Sequence, residues 1–121
     1  MTEKELHEIY QNLLDLTKQG MLEWANLGSD TYEINFSRSS ITIYFDADLQ
    51  PYGRAAVMNV YNEDGKLIAS SSPLHEESTT VKYFDLDVSE LFSLIQSRIY
   101  KYSETAKGIL EELKKIREEG I

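Results

Sequence analysis

Asp46-Ala47-Asp48 closes the stretch DTYEINFSRSSITIYFDAD, residues 30–48. Two carboxylates at that spacing, joined by further oxygen ligands, can hold a divalent cation. The same spacing recurs in Asp85-Leu86-Asp87. Strand alternation puts Asp46 on the side of Thr42 and Tyr44, opposite Ile43 and Phe45, and Asp87 falls where a helix should begin. The chain has no glycine-rich phosphate loop, so both pairs read as the ends of elements and no metal ligand set is expected. Asn62-Glu63-Asp64-Gly65 fails as a calcium loop, because the first and last ligand positions would fall on Val60 and Ser71. His75-Glu76 lacks the second histidine of a zinc-protease helix. His7 reads as a surface residue, far in sequence from His75. Ser70, Ser71 and Ser72 show no nucleophile elbow and read as a flexible polar loop. No catalytic residue and no cofactor are expected, and the chain reads as non-enzymatic.

Composition removes further classes. The 121 residues carry 12 lysines and arginines against 21 aspartates and glutamates, a formal charge of −9. No basic stripe is available to release counterions from a phosphate backbone, so neither direct nucleic-acid binding nor an anionic membrane is expected. No apolar run approaches the roughly 20 residues of a membrane span. The N-terminus is acidic and amphipathic, unlike a signal peptide. The absence of cysteine excludes disulfides and thiolate chemistry and suits a reducing compartment, so a cytoplasmic location is expected. The length suits one domain over residues 1–121.

The elements follow from hydrophobic period. Thr2 and Glu5 have capping-box spacing, and Leu6, Ile9, Tyr10, Leu13, Leu16 and Thr17 repeat at helical spacing. Gly20 suits the left-handed position past the helix end. A helix over 3–19 is expected. Period two then takes over. Leu22 and Trp24 alternate with Glu23, and "NLGSD" reads as a turn. Tyr32, Ile34 and Phe36 alternate with Thr31, Glu33 and Asn35. Ile41, Ile43 and Phe45 alternate with Thr42, Tyr44 and Asp46. Ala56, Met58 and Val60 alternate with Val57, Asn59 and Tyr61. Gly65 fits the left-handed position of a turn before the returning strand "KLIAS". Connections this short join antiparallel neighbours. "VKYFDLD" reads as an edge strand or an extended approach to a helix. Asp87 and Glu90 repeat the capping-box spacing before a helical pattern over 88–119. That pattern is either one long helix or two, broken near Lys101–Ser103, with Ser103 as a candidate cap. The expected fold is α+β: an N-terminal helix, a four- to five-stranded antiparallel meander, and one long or two shorter C-terminal helices packed on one sheet face. The core face should carry Ile34, Phe36, Ile43, Phe45, Met58 and Val60.

These pieces, in order, carry a resemblance. "TKQGMLEW" at 17–24, "SDTYEINF" at 29–36, "ITIYF" at 41–45, "NEDGKLI" at 62–68 and "LFSLIQSRIYKYSETAKGILEEL" at 91–113 resemble a recurring group of short bacterial α+β proteins with no known activity. The resemblance implies the helix, the meander and a C-terminal helical hairpin. Members of the group usually carry a glycine in the middle of the C-terminal segment, where this chain has Lys101. The resemblance implies no activity.

Two surfaces are left for function. Tyr44, Val57 and Tyr61 project together from the outer sheet face, and tyrosine is enriched in interface cores. The C-terminal segment is the second, through Tyr100, Tyr102, Leu110, Leu113 and Ile116. It has more apolar positions than one sheet face requires. An unbroken helix would overhang the sheet and expose its stripe, which soluble proteins avoid. Folding back near Lys101–Ser103 would cover it, and so would a twofold-related copy. The leading expectation is a module that binds a partner protein, one with a basic surface given the acidic charge, or itself as a homodimer. A second reading is an acidic inhibitor, of phage anti-defence or antitoxin type, that occludes a basic nucleic-acid-binding surface. A third is a protein that binds or sequesters a small ligand.

Overall fold

The structure, a computed structural model, describes residues 1–74 and 78–120. Elements run α1 (Glu3–Lys18), β1 (Ala25–Gly28), β2 (Thr31–Asn35), β3 (Ser40–Phe45), a 3-10 turn (Ala47–Tyr52), β4 (Ala56–Tyr61), β5 (Leu67–Ser70), β6 (Lys82–Tyr83), α2 (Ser89–Tyr100) and α3 (Tyr102–Glu119). The class is α+β, as the sequence indicates. The sheet has six strands in sequence order, against the four or five expected. The first five pair antiparallel, while β6 pairs with β5 in parallel.

The N-terminal helix begins as its sequence dictates. The Thr2 hydroxyl accepts from the Glu5 amide at 3.1 Å, and the Glu5 carboxylate accepts from the Thr2 amide at 2.9 Å. These bonds hold the Glu5 carboxyl below the usual range, those to Thr2 being the main cause. Gly20 follows with φ of +72°. Leu6, Leu13, Leu14 and Thr17 are buried.

The first hairpin lies further along the chain than expected. Asn26, Leu27 and Gly28, read as part of a turn, belong to β1, and the turn is Ser29-Asp30, both left-handed. Two left-handed residues give the twist that a two-residue hairpin needs. Leu22 and Trp24 precede the strand and pack against the core. Trp24 donates its indole N–H to the Thr17 hydroxyl at 3.1 Å, which ties this segment to α1.

The core lies between the sheet and the helices α1 and α2. It holds Tyr32, Ile34, Ile41, Ile43, Met58 and Val60 from the strands, and Leu91, Phe92 and Ile95 from α2. Phe36 and Phe45, expected in that core, are 45% and 42% exposed. Phe36 lies one residue past the end of β2 and Phe45 is the last residue of β3, so both fall at the rim where cover runs out. The Tyr32 ring packs against Phe92 at 5.8 Å. Its hydroxyl is buried without a hydrogen bond of normal geometry. Burial is the main cause that pushes this phenol up, with Gln96 and Tyr100 of α2 beside it.

The serines at 70–72 are not a flexible loop. All three are buried. The Ser71 hydroxyl accepts from the Met58 amide at 2.8 Å, and the Ser71 amide donates to the Met58 carbonyl at 2.9 Å. Ser70 accepts from the Ser72 amide at 3.3 Å. Short hydroxyl side chains satisfy backbone groups that the sheet encloses. His75 and Glu76 lie outside the described residues.

Both Asp pairs end elements. Asp46 caps the 3-10 turn by accepting from the Asp48 amide at 3.0 Å. Asp87 accepts from the Ser89 amide at 3.0 Å, but no capping box forms, because Val88 holds the cap position of α2. Burial pushes the Asp87 carboxyl up, yet its bonds to Ser89 and the nearby Arg54 guanidinium outweigh this and lower it. Arg54 also forms an ion pair with Asp85.

Candidate interaction surfaces

The outer sheet face is built by register. Glu33, Thr42, Asn59, Ser70 and Tyr83 form one row across β2 to β6. Tyr44 stands opposite Val57, which makes it a diagonal neighbour of Asn59, and Tyr61, opposite Ser40, lies two residues beyond Asn59 on the same face of β4. The Asn59 amide reaches the Tyr61 hydroxyl at 3.5 Å. Burial is the main cause that raises the Tyr44 phenol, with Asp46, Tyr61 and Tyr83 adding to it and Asn59 opposing.

This face is less open than the alternation suggested. Val57, expected to project into solvent, is completely buried, and Thr42 is only 9% exposed. Tyr44 and Tyr61 are half-buried. Leu49, in the 3-10 turn between β3 and β4, is also fully buried. Neither Leu49 nor Val57 belongs to the core beneath the helices, so burial is not confined to that core. Strand alternation shows which side a residue faces, but not that the connection from β3 to β4 carries an apolar side chain of its own. The spacing of Leu49 between Asp48 and Pro51 held no such signal.

A second concave region lies beside α1, a cleft of about 660 Å³. Ile9 and Leu13 of α1 face Ile41, Val60 and Ile68 of the sheet across it, with Phe36 at the same site. Glu5, Glu8 and Arg38 are the charged residues of its lining. Among the described residues no group of three or more histidines and carboxylates is placed to share a metal ion.

The C-terminal segment is broken, as one of the two expected arrangements has it. Lys101 adopts a left-handed conformation with φ of +51°, between α2 and α3. Ser103 does not cap α3; Lys101 holds that position without a side-chain bond. The break does not fold the chain back. Every residue of α3 is exposed, so α3 covers neither the sheet nor α2, contrary to the packing expected of both C-terminal helices. The reason lies in what precedes it. Leu91, Phe92 and Ile95 of α2 already fill the core beside α1, and Arg98 donates to the Lys18 carbonyl at 2.6 Å. That fixes α2 against α1.

The result is an arm of 18 residues, about 27 Å long at 1.5 Å per residue. Its apolar residues keep one stripe: Tyr102, Ile109, Leu110, Leu113 and Ile116 are each more than half exposed. Tyr100, at the end of α2, stacks on Tyr102 at 5.8 Å with rings nearly parallel. The arm therefore gathers the C-terminal residues singled out from the sequence, apart from Tyr100 at the end of α2, and adds Ile109, whose helical spacing with Leu113 and Ile116 was the signal for it. No helix among the described residues is long and apolar enough to cross a membrane. Searches against family models, curated proteins and solved structures match nothing to this chain.

Proposed function

We propose that this chain is a non-enzymatic interaction module whose docking element is the α3 arm. The observation that carries the reading is an amphipathic helix exposed along its whole length, with its apolar stripe uncovered. Such a stripe in water is costly, at ~25 cal/mol for each Å² of apolar surface left unburied. The helix itself adds to the case. Isolated helices of about 15 residues are marginal in water, and Gly108 in its middle weakens it by roughly 1 kcal/mol relative to alanine. An arm of this kind holds its helix when a protein surface covers the stripe.

Of the outer-face candidates, Val57 drops out because it is buried, and Tyr44 and Tyr61 are half enclosed. The outer face is therefore a poorer docking surface than the arm. The test is a photo-crosslinking amino acid placed at Leu113 in cells that express the chain, with Lys107, outside the apolar stripe, as the control. Protein adducts are expected from position 113 and not from 107. Equal yields at the two positions, or none at either, would refute the docking arm.

A further inference from the structure

The arm's residues also specify what covers them. Ile109 and Leu113 are four apart, Leu113 and Ile116 three apart, and Tyr102, Ala106 and Ile109 continue the alternation of four and three towards the N-terminus. This is the seam of a heptad repeat, with Ala106 and Leu113 at a and with Tyr102, Ile109 and Ile116 at d. In that frame the e positions are Ser103, Leu110 and Arg117, and the g positions are Thr105, Glu112 and Glu119. The remaining outward positions, b, c and f, hold Glu104, Lys107, Gly108, Glu111, Lys114, Lys115 and Glu118. All but Gly108 are charged, as suits a face left in water.

We infer that the partner of the α3 arm is the same arm on other copies of this chain, packed in parallel and in register. The inference rests on the docking-arm reading and goes beyond it by naming the occupant. Three features of the sequence on this helix favour self-contact. A 3-4 seam is complementary to itself, because each a or d side chain enters a hole made by the same residues of its neighbour. In parallel register a g residue faces the e residue five positions on in the neighbouring helix, which brings Glu112 against Arg117 of the next copy. An antiparallel contact sets g against g and e against e, and that charge pair is lost. Finally, Thr105, Ser103 and Ala106 near the base are small and uncharged, so neighbouring arms can approach there without repulsion.

The same positions bear on how many arms meet. Leucine at a with isoleucine at d disfavours two strands and shifts preference to three or four. Leu110 at e widens the apolar stripe beyond a and d, the pattern of a bundle rather than of a two-stranded seam. The stacked Tyr100 and Tyr102 stand at the base of that bundle, next to the left-handed Lys101, where the bodies of the copies splay apart.

The chain has no cysteine, so a single cysteine on the seam reports self-contact without background. Ala106→Cys and Leu113→Cys are made separately in the full chain and oxidised mildly. Both are expected to give a covalent species of twice the chain mass, and Lys107→Cys is not. Cross-linking at only one of the two seam positions indicates antiparallel arms and overturns the parallel arrangement; failure at both overturns self-contact. Sedimentation equilibrium on the unmodified chain up to about 200 µM should give three or four chains, with Leu113→Glu weakening association at least ~10-fold. A dimer overturns the bundle, and a monomer overturns self-association. The photo-crosslinker at Leu113 separates the two levels of failure. A monomeric chain that captures a different protein there refutes the self-partner and keeps the docking arm, whereas one that captures nothing refutes both.

Discussion

Helices α1 and α3 are close in length, 16 and 18 residues, and both carry an apolar stripe. Their fates differ. The first is closed by a reciprocal cap at Thr2 and Glu5 and buries four residues against the sheet. The second starts at a left-handed lysine with no side-chain cap and buries none. An amphipathic pattern therefore states that a helix will be covered, and not by what. For α1 the cover is in the same chain. For α3 the core is already filled by α2, and in the function proposed above its cover comes from outside.

The largest effect expected on this division is Ile43→Asp set beside Leu113→Glu. Ile43 is fully buried, opposite Tyr32 on one side and Met58 on the other. An unpaired carboxylate there costs several kcal/mol, a large part of the ~5–15 kcal/mol that holds a small domain together. The variant should be unfolded by circular dichroism at room temperature. Leu113→Glu should keep the body's melting transition within about 0.5 kcal/mol, as surface changes do, while losing association. A Leu113→Glu chain with a collapsed strand signal would show that the arm belongs to the body after all.

Thr42→Asp and Ser71→Ala come next, and both probe how closed the outer face is. Thr42 is nearly buried and stands directly opposite Glu33. An aspartate there loses solvation and meets a like charge across the strands, so a loss of about 1–3 kcal/mol is expected. A fully open face would tolerate it. Ser71→Ala leaves the Met58 amide without the hydroxyl that accepts from it at 2.8 Å. A buried donor left unmatched costs about 1–3 kcal/mol. Chemical denaturation of both variants checks these values. A Ser71→Ala chain as stable as the parent would return Ser70–Ser72 to the status of a loose loop.

Most of the fold was legible because it depends on local rules. The cap at Thr2 and Glu5, the glycines at 20 and 65, and the alternation through Tyr32, Ile34, Ile41, Ile43, Met58 and Val60 each follow from spacing within a few residues. The errors came where distant parts of the chain decide. Phe36 and Phe45 carry the right alternation but sit where the cover ends. Val57 is buried, although alternation put it in solvent. Ser70–Ser72 look like a linker by composition and are enclosed because β4 and β6 flank β5. The edge strand β6 falls inside VKYFDLD, as one of the two readings of that stretch has it, but no local pattern reports that it pairs with β5 in parallel. The candidate surface on α3 was visible as a stripe, but its freedom from the sheet was not. That outcome depends on α2 having used the available core, which no local pattern reports.

Gly108→Ala carries the smallest expected effect and gives the sharpest separation of arm from body. A Cβ built at Gly108 meets nothing within 4 Å, and no positive φ restrains the position. The substitution therefore adds no clash and removes the backbone entropy that glycine brings to a helix interior, a gain of roughly 1 kcal/mol. Gly108 sits at a c position, away from the Ile109 and Leu113 seam, so the new methyl group adds no contact to it. The gain should appear only in the arm: more helical signal by far-ultraviolet circular dichroism, slower amide exchange over 102–119, and tighter self-association, because less ordering remains to be done on assembly. The body's transition should not move. Gly20→Ala is the matched control. Its φ of +72° makes any side chain strained, so that change should lower the body's melting temperature and leave the arm's exchange unaltered. If Gly108→Ala raised the body's melting temperature as well, the helical state of α3 and the stability of the sheet would be one equilibrium, and the arm could not be the independent docking element argued here.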